Sequence, residues 1–362
     1  MKYLKLSEIC NPKQWKTLST EQLLDKGFPV YGANGKIGYY STYNHELPTI
    51  MITCRGATCG SINISEPKSW INGNAMCLDN LSSDVSLKYL AFYLQNYNFN
   101  HVISGSAQPQ ITREGLEKVK VKVYAKELQE KISIQLDKAQ KIISESKAIL
   151  EKYDTLIKSR FIEMFGTEND FSKWNCCFVE DVADVTVGVV IKPTHYYCEK
   201  GIPAFRSLNI GEMKVNDSDW VYFTEEGNEK NRKSILKEND VLVVRSGAPG
   251  KSCVITKKYE GYNVVDAIIA HPNLEKVNPV FLCMFTNMPH GMNQIKAKTG
   301  GAAQQHFNVG GYNSLKIILP PLSLQNDFAA FVQQIDKSKF AVQKSLEKTE
   351  TLYKSLMQRY FA

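Results

Sequence analysis

The sequence predicts an α+β fold in which two similar globular domains are joined by two long helices. These helices should form an antiparallel intramolecular coiled coil with a pseudo-two-fold internal repeat. Residues 150–161 (LEKYDTLIKSRF) return as residues 346–357 (LEKTETLYKSLM), with seven of twelve positions identical at an offset of 196 residues. Short β-rich runs between Gly, Pro and Asn clusters fill the rest of each copy. A period this long indicates a duplicated domain rather than a solenoid array.

The order of parts is the same in both copies, a globular region followed by a helix. The predicted boundaries are 1–125 and 166–321 for the globular domains, 126–165 for the central helix and 322–362 for the C-terminal helix. The offset of 196 also aligns GSAQPQIT at 105–112 with GAAQQHFN at 301–308. Further upstream, CRGATCGS at 54–61 resembles RSGAPGKS at 245–252, and Asn74-Ala75 resembles Asp266-Ala267. The small shifts in offset indicate loop insertions between two copies of one module.

Several elements can be placed inside the globular domains. The predicted strands include 49–53, 61–65, 119–123, 241–245 and 315–319, and the predicted short helices cover 85–97 and 277–288.

Both long helices carry a heptad-like apolar seam. Residues 126–165 contain neither Gly nor Pro, and apolar or small side chains recur at steps of three and four. The seam comprises Leu128, Ile132, Leu136, Ala139, Ile143, Ser146, Leu150, Tyr153, Ile157 and Phe161, and in the second helix Leu324, Phe328, Val332, Ile335, Val342, Leu346, Tyr353 and Met357. Gly166 should end the first helix. Antiparallel pairing within the chain is the most economical arrangement, and an intermolecular coiled coil is the alternative. Forty helical residues would span about 60 Å.

The composition is that of an ordinary globular protein. The 362 residues carry 44 Lys and Arg against 37 Asp and Glu, a net charge of +7, and 43% of them are hydrophobic. The first residues, MKYLKLSEICNPK, contain no apolar stretch of signal-peptide length, and no run is long enough for a membrane span. The nine Cys are scattered without a CxxC pair, so we expect reduced thiols, a cytoplasmic location and no metal site.

No catalytic motif can be assembled. RSGAPGKS ends like a phosphate-binding loop, but Arg245 stands where the first glycine is needed and CVITKKY after it predicts a strand. The matching CRGATCGS also lacks a Lys. With no cofactor fingerprint, no metal-ligand spacing and no catalytic set, the sequence favours a non-catalytic binding protein. A catalytic enzyme with an unrecognised site is the less favoured interpretation.

Several segments together resemble the specificity subunit of type I restriction–modification systems. The resemblance covers essentially the whole chain, and the order of its motifs is repeated in the two copies. In the first copy the segments are PVYGANGKIGYY (29–40), PTIMITCRGATCG (48–60), SWINGNAM (69–76) and GSAQPQIT (105–112), and in the second they are FRSLNIGE (205–212), ENDVLVVRSGAPG (238–250) and LPPLSLQNDF (319–328). The chain is on the short side for this family.

The resemblance implies a function. The globular parts would be target recognition domains that each read one half of a bipartite, asymmetric double-stranded DNA site. The helices would set the spacing and dock two modification (methyltransferase) subunits, with two restriction subunits as a further option. S-adenosylmethionine, ATP and Mg would be bound by partner subunits, and no cofactor by this chain. The alternatives are a specificity subunit of a type IIB-like system and, from a different class, a coiled-coil scaffold that binds proteins.

Candidate DNA contacts follow from the chemistry of base edges, since Arg and Lys suit guanine while Asn and Gln suit adenine. The candidates are Lys36, Tyr39, Arg55, Gln108, Gln110, Thr112 and Arg113 in the first domain, and Arg206, Asn209, Arg245, Ser246, Lys251, Lys296, Lys298, Gln304, Gln305 and His306 in the second. A purely structural role competes for each of them, and most directly for Gln108 and Gln304, which align between the copies. Residues 1–125 carry a net charge of +4, whereas residues 166–321 are neutral, so charge alone is weak support for DNA binding.

Overall fold

The long helices divide between two compact units. The computed structural model describes residues 1–105, 109–299 and 306–361. One unit consists of Met1–Lys147 and Lys344–Ala362, and the other of Ala148–Gln343. We call these the first unit and the second unit. Each unit therefore contains one half of the first long helix, Lys126–Phe165, and one half of the second, Leu322–Phe361.

The first unit is built around a four-stranded antiparallel sheet. In spatial order its strands are Asn11–Lys13, Ala75–Asp79, Ile50–Thr53 and Ile62–Ile64. A three-stranded sheet places Phe28–Gly32 between Gly35–Tyr40 and Trp70–Ile71, and two-stranded sheets pair Lys2–Lys5 with Lys120–Val123 and Ile103–Ser104 with Gln110–Ile111. The α-helices of this unit outside the long ones are Leu6–Ile9, Leu87–Asn96 and Arg113–Glu117.

The core of the first unit forms where the helix Leu87–Asn96 meets the sheet. Six of its ten residues are buried, from Tyr89 to Leu94. Its Tyr89 is fully buried and its ring centroid lies 5.5 Å from that of Phe361, at the end of the second long helix. The core thus includes the C-terminal end of the chain.

The second unit repeats this arrangement with longer connections. In spatial order its main sheet consists of Ala183–Val187, Ala267–Pro272, Val241–Val244 and Ser252–Val254. A second four-stranded sheet consists of Tyr197–Cys198, Val221–Phe223, Ile202–Phe205 and Asn263–Val264, and two-stranded sheets pair Cys176–Phe178 with Lys316–Ile318 and Ile210–Gly211 with Lys214–Val215. Its remaining α-helices are Glu225–Lys230, Pro279–Asn287, Pro289–Lys298 and Val309–Asn313.

The strand pairing confirms the internal repeat. Both main sheets have the same order and antiparallel pairing throughout. Both smaller sheets contain one parallel pair, with Val30 opposite Trp70 in the first unit and Ala204 opposite Asn263 in the second. Each predicted strand and short helix is present, with boundaries that differ by one or two residues.

The two long helices run antiparallel, as predicted. In the first unit, Gln140 Nε2 donates to the Tyr353 hydroxyl at 3.0 Å and the Tyr360 hydroxyl donates to Gln135 Oε1 at 3.4 Å. In the second unit, Lys339 Nζ lies 2.6 Å from Asp154 Oδ1. Gly166 ends the first helix with a left-handed φ of 83°, which favours glycine, and its N–H donates to Ile162 O at 2.8 Å.

The predicted seam faces the interior at all positions except one. The fully buried members are Ile132, Leu136, Ala139, Ser146, Ile157, Phe161, Phe328, Val332, Leu346 and Met357, and the half-buried members are Ile143, Leu150, Tyr153, Leu324, Ile335, Val342 and Tyr353. Leu128 was assigned to the seam wrongly, because its side chain is 39% exposed. The adjacent Gln129 is buried in its place and hydrogen-bonds to three backbone groups, so the first turn directs a polar side chain inward.

Gln325 has the same role in the second unit. Gln129 Oε1 accepts from Ser86 N at 2.9 Å, and Gln325 Oε1 accepts from Asn278 N at 2.9 Å. Both side-chain amides also donate to backbone carbonyls, those of Asp84 and Tyr124 in one unit and those of Pro320 and Lys276 in the other. Each glutamine thereby accepts a hydrogen bond from a backbone N–H at the start of the short helix that packs on its sheet.

No helix in the described ranges is long and apolar enough to cross a bilayer.

Candidate nucleic-acid interface

Three loops of the first unit are hydrogen-bonded to one another where most of its predicted DNA contacts lie. Thr53 Oγ1 donates to Ala33 O at 2.5 Å, and Thr58 Oγ1 donates to Asn34 Oδ1 at 2.6 Å. These bonds attach the hairpin turn after Phe28–Gly32 to the loop that follows Ile50–Thr53. Arg55 forms an isolated β-bridge with Gln110, which attaches the third loop. Residues 54–60 therefore lie between the other two loops. We call the surface formed by 33–34, 54–60 and 109–110 the first loop cluster.

Gly56 allows the turn in the middle of this cluster. Its φ is 85°, in the left-handed region, and its N–H donates to Pro109 O at 3.2 Å. A second bond, from Ile111 N to Cys54 O at 3.0 Å, fixes the same two segments. The backbone of the cluster is thus held from both sides, while the side chain of Arg55 is exposed.

Among the predicted contacts of the first unit, Arg55 is the most available for a ligand. Its side chain makes no hydrogen bond or ion pair with another residue in the described part of the chain, and a free guanidinium can make a bidentate contact. Lys36 is partly engaged, because its Nζ lies 4.5 Å from the ring centroid of Tyr39 and 3.6 Å from Glu66 Oε1. The hydrogen bond to Tyr39, more than the charge of Glu66, raises the pKa of Lys36.

Thr112 and Arg113 have local structural roles. Thr112 caps the helix Arg113–Glu117, with its hydroxyl accepting from Gly115 N at 3.2 Å. Arg113 Nε donates to Glu117 Oε1 at 2.7 Å, and its Nη2 donates to Asn11 Oδ1 at 3.1 Å. Gln110 is half-buried in its strand, and Gln108 lies outside the described residues. These bonds favour a structural role for Arg113, which the sequence left open beside DNA contact.

The second unit carries an equivalent cluster on the same backbone frame. Ser246 forms an isolated β-bridge with His306, as Arg55 does with Gln110. Phe307 N donates to Arg245 O at 3.0 Å, as Ile111 N does to Cys54 O. We call the surface formed by 245–251 and His306 the second loop cluster. Asn308 caps the following helix through Gly311 N at 2.7 Å, so the correspondence continues past the bridge.

The side chains on this second frame are paired with one another. Arg245 Nη1 lies 3.0 Å from Asp266 Oδ1, and the Ser246 hydroxyl donates to Asp266 Oδ2 at 3.1 Å. Ser246 Oγ also lies 2.9 Å from His306 Nδ1. The side chains of Arg245 and Asp266 are 22% and 35% exposed, so this is a partly desolvated, charge-balanced group. Asp266 was missed among the candidate residues, although its alignment with Asn74 in the repeat gave a signal for it.

One predicted contact is wrong. Asn209 is fully buried, its Oδ1 accepts from Arg206 N at 2.9 Å and its Nδ2 donates to Asn216 O and Ser218 O at 3.2 and 2.7 Å. With its amide engaged on both sides, Asn209 shapes a loop and has no group left for a base edge. Arg206 is half-buried and donates through Nη2 to the carbonyl of Asp219.

The predicted lysines of the second unit are exposed. Lys251 lies at the end of the second loop cluster and is followed by the strand Ser252–Val254. The sequence predicted a strand here, whereas a phosphate-binding loop would be followed by a helix. Lys296 and Lys298 lie in the last turn of the helix Pro289–Lys298, and Lys298 Nζ donates to Ser314 Oγ at 2.9 Å. Gln304 and Gln305 lie outside the described residues.

Potential metal ligands converge elsewhere in the first unit. Within the described ranges, His45, Cys77 and Asp79 each offer one donor atom, and these atoms all lie within 4.8 Å of one another. None of the three belongs to the loop clusters.

One protein family model and two curated proteins match parts of the chain. The family model described as the type I restriction modification DNA specificity domain matches residues 1–153 and again residues 172–350. The chain is 24% identical over 159 residues to the specificity subunit of the type I restriction enzyme EcoprrI from Escherichia coli, across 42% of this chain and 36% of that protein. It is 24% identical over 133 residues to the MjaVIII specificity subunit from Methanocaldococcus jannaschii, across 36% of this chain and 30% of that protein. The matches thus span about a third of the length of these curated relatives.

Solved structures are similar over the full length. The S subunit of the type I restriction–modification system from M. genitalium matches with a TM-score of 0.70 and 13% identity, covering 100% of this chain and 96% of that chain. A structure concerning complex assembly and conformational transition of the type I system matches with a TM-score of 0.56 and 13% identity, covering 99% and 97%. At this identity the similarity establishes the fold.

Proposed function

Since the chain belongs to the type I restriction–modification DNA specificity family, we propose that it selects the DNA sequence on which a methylating and cleaving complex acts. Each unit reads one half of a bipartite, asymmetric site in double-stranded DNA through its own loop cluster. The paired helices set the spacing between the half-sites and dock two modification subunits. The chain itself is non-catalytic, and partner subunits supply S-adenosylmethionine, ATP and Mg chemistry, with two restriction subunits as a further component.

This proposal rests on one observation: the two loop clusters have the same backbone hydrogen bonding but different side chains. Both loop clusters are attached by the same β-bridge and the same neighbouring hydrogen bond. At the bridge, one unit has Arg55 with Gln110 and the other has Ser246 with His306. Because bases are distinguished by the donors and acceptors of the side chains that meet them, different side chains on one frame suit two different half-sites.

Partner subunits should contribute much of the DNA affinity. The globular part of the second unit has 17 basic and 17 acidic residues across 166–321, and Arg245 is paired with Asp266. Phosphate neutralisation normally provides most of the affinity for DNA, so a neutral reader needs additional cations. The logarithm of the binding constant should therefore fall more steeply with the logarithm of salt for the assembly than for the chain alone. Equal slopes would contradict this part of the proposal.

The deciding experiment is methylome sequencing of cells that carry active modification subunits, with and without this chain. We expect one split, adenine-methylated motif to disappear when the chain is removed and to return with it. Binding of labelled bipartite DNA by the reconstituted complex tests the same point in vitro. An unchanged methylome together with no sequence preference in vitro would refute the function and favour the protein-binding scaffold.

Two further measurements define the assembly. Native mass spectrometry should show two modification subunits for each copy of this chain, because the frame is duplicated. An active complex with a single modification subunit would contradict the docking scheme. The identity of the co-purifying subunits separates a type I system from a type IIB-like system.

A further inference from the structure

The orientation of His45 is fixed by its neighbour Asn44. Asn44 Oδ1 accepts from Ile71 N at 2.8 Å and its Nδ2 donates to Ile71 O at 3.1 Å, which assigns the two ends of the amide. His45 Nδ1 lies 2.7 Å from that same Asn44 Oδ1. Since the oxygen can only accept, Nδ1 of His45 must carry a proton and donate.

The other ring nitrogen then faces a second acceptor. In a neutral imidazole with Nδ1 protonated, Nε2 has a lone pair, and it lies 3.0 Å from Asp79 Oδ1. The other carboxylate oxygen, Oδ2, accepts from Trp15 Nε1 at 2.9 Å. The side chains of His45 and Asp79 are only 8% and 12% exposed. Two lone pairs so close in a buried place require a positive charge, either a proton or a metal ion.

Cys77 makes the metal ion the better candidate. Cys77 and Asp79 are two residues apart on the strand Ala75–Asp79, so their side chains lie on the same face of it. The thiol, the carboxylate and the imidazole donor atoms all lie within 4.8 Å of one another. Tetrahedral zinc with bonds of about 2.0–2.3 Å separates its ligands by about 3.3–3.8 Å. His45 Nε2 and Asp79 Oδ1, which are 3.0 Å apart, would move slightly apart, and a separation as long as 4.8 Å would shorten by about 1 Å. A proton between His45 and Asp79 would leave the Cys77 thiol without a role, whereas a metal ion would use all three groups.

We propose that His45 Nε2, Cys77 Sγ and Asp79 Oδ1 bind a zinc ion, with water in the fourth position. Asn44 and Trp15 then act as outer partners that orient the imidazole and the carboxylate, an arrangement typical of zinc sites. Binding breaks the S–H bond of Cys77 and releases its proton to solvent, while both electrons of that bond remain on the sulfur that bonds the metal.

The second unit provides an internal comparison. There His271 Nδ1, near the end of the strand Ala267–Pro272, lies 2.6 Å from Asp240 Oδ1, in the residue before the strand Val241–Val244. No third metal donor joins that pair within the described part of the chain. The pair in the second unit therefore lacks a complete donor set, whereas the site in the first unit binds metal and stabilises that unit alone.

The test measures metal in the purified full-length chain. After removal of metal and addition of zinc, the wild-type chain should retain about one zinc through gel filtration. Substitution of cobalt should give a near-ultraviolet thiolate-to-cobalt absorption band. Cys77→Ser should lose both signals, while Cys10→Ser, which alters another buried thiol of the same unit, should keep them.

A measurement on the unmodified chain makes the result independent of whether the variants fold. Zinc should raise the midpoint of thermal unfolding of the wild-type chain and slow hydrogen exchange around 44–46 and 75–79, but not around 240 and 271. The inference is overturned by a wild-type chain that retains no zinc and shows no thiolate band. In that case the charge between His45 and Asp79 is a proton. A full signal in Cys77→Ser would equally exclude this site.

Discussion

The two loop clusters share a backbone and differ in how their charges are used. In the first unit, Arg55 projects into solvent beside its bridge to Gln110. In the second unit, Arg245 lies one residue before the bridging Ser246 and is paired with Asp266 at 3.0 Å. The first cluster therefore presents an unpaired guanidinium, whereas in the second the guanidinium is paired with a carboxylate and the exposed cation is Lys251. The difference shows that a duplicated frame can be retained while its surface chemistry changes.

The helix seams differ in the same way. At equivalent positions of the repeat, the first unit has Ile132 and Met357 where the second has Phe328 and Phe161. In the second unit the rings of Phe161, Phe165 and Phe328 pack with centroid separations of 4.9–5.8 Å. The seam of the first unit is mainly aliphatic, with Tyr353 half-buried in it, and Phe361 joins the core at the end of the helix. The frame thus tolerates different packing solutions as long as the buried volume is filled.

The largest expected effect comes from removing an aromatic side chain from the second seam. Phe328→Ala should destabilise the second unit by about 3–5 kcal/mol, because the ring is fully buried against other rings. Hydrogen exchange measured by mass spectrometry should report the loss in the second unit. Phe340→Ala is the matched control, since that ring is 71% exposed on the same helix and should change stability by less than about 0.5 kcal/mol. Equal effects of the two variants would contradict the assigned seam.

Two buried glutamines test whether the units are built in the same way at the start of each long helix. Gln129→Ala and Gln325→Ala should each destabilise their own unit by about 2–4 kcal/mol, because each leaves a backbone N–H and two carbonyls without their partner. Denaturant unfolding with unit-specific exchange measures both losses. Leu128→Ala, next to Gln129 but 39% exposed, serves as the control. A loss confined to one unit would show that only one glutamine has this structural role.

A weaker effect is expected on DNA binding when Arg55 is replaced. Arg55→Ala should weaken specific DNA binding of the assembled complex by about 1–3 kcal/mol and relax the preference at one position of one half-site. Arg113→Ala should have a smaller effect, since Arg113 is paired with Glu117 and Asn11. Fluorescence anisotropy with single-base variants of the site provides the measurement. An undiminished specificity in Arg55→Ala would remove it from the interface.

Much of the architecture follows from local sequence because helices and strands leave periodic patterns. The spacing of apolar residues located both long helices, and Gly166 marked an end that requires a left-handed φ of 83°. The repeat aligns Arg55 with Ser246 and Gln110 with His306, and in the structure Arg55 forms a β-bridge with Gln110 as Ser246 does with His306. The error at Leu128 arose because an apolar heptad position predicts burial, whereas a nearby helix start needed the amide of Gln129.

The duplication, the long helices and the family resemblance could all be predicted from the sequence, since each rests on patterns that recur along the chain. Which polar residues are available for a ligand depends on the tertiary contacts. Asn209 is buried by its own loop, Asp266 pairs with Arg245 from 21 residues away, and His45 meets Asp79 across 34 residues. Such contacts depend on strands that come together from distant segments, and a polar side chain carries no local mark of the partner it will meet.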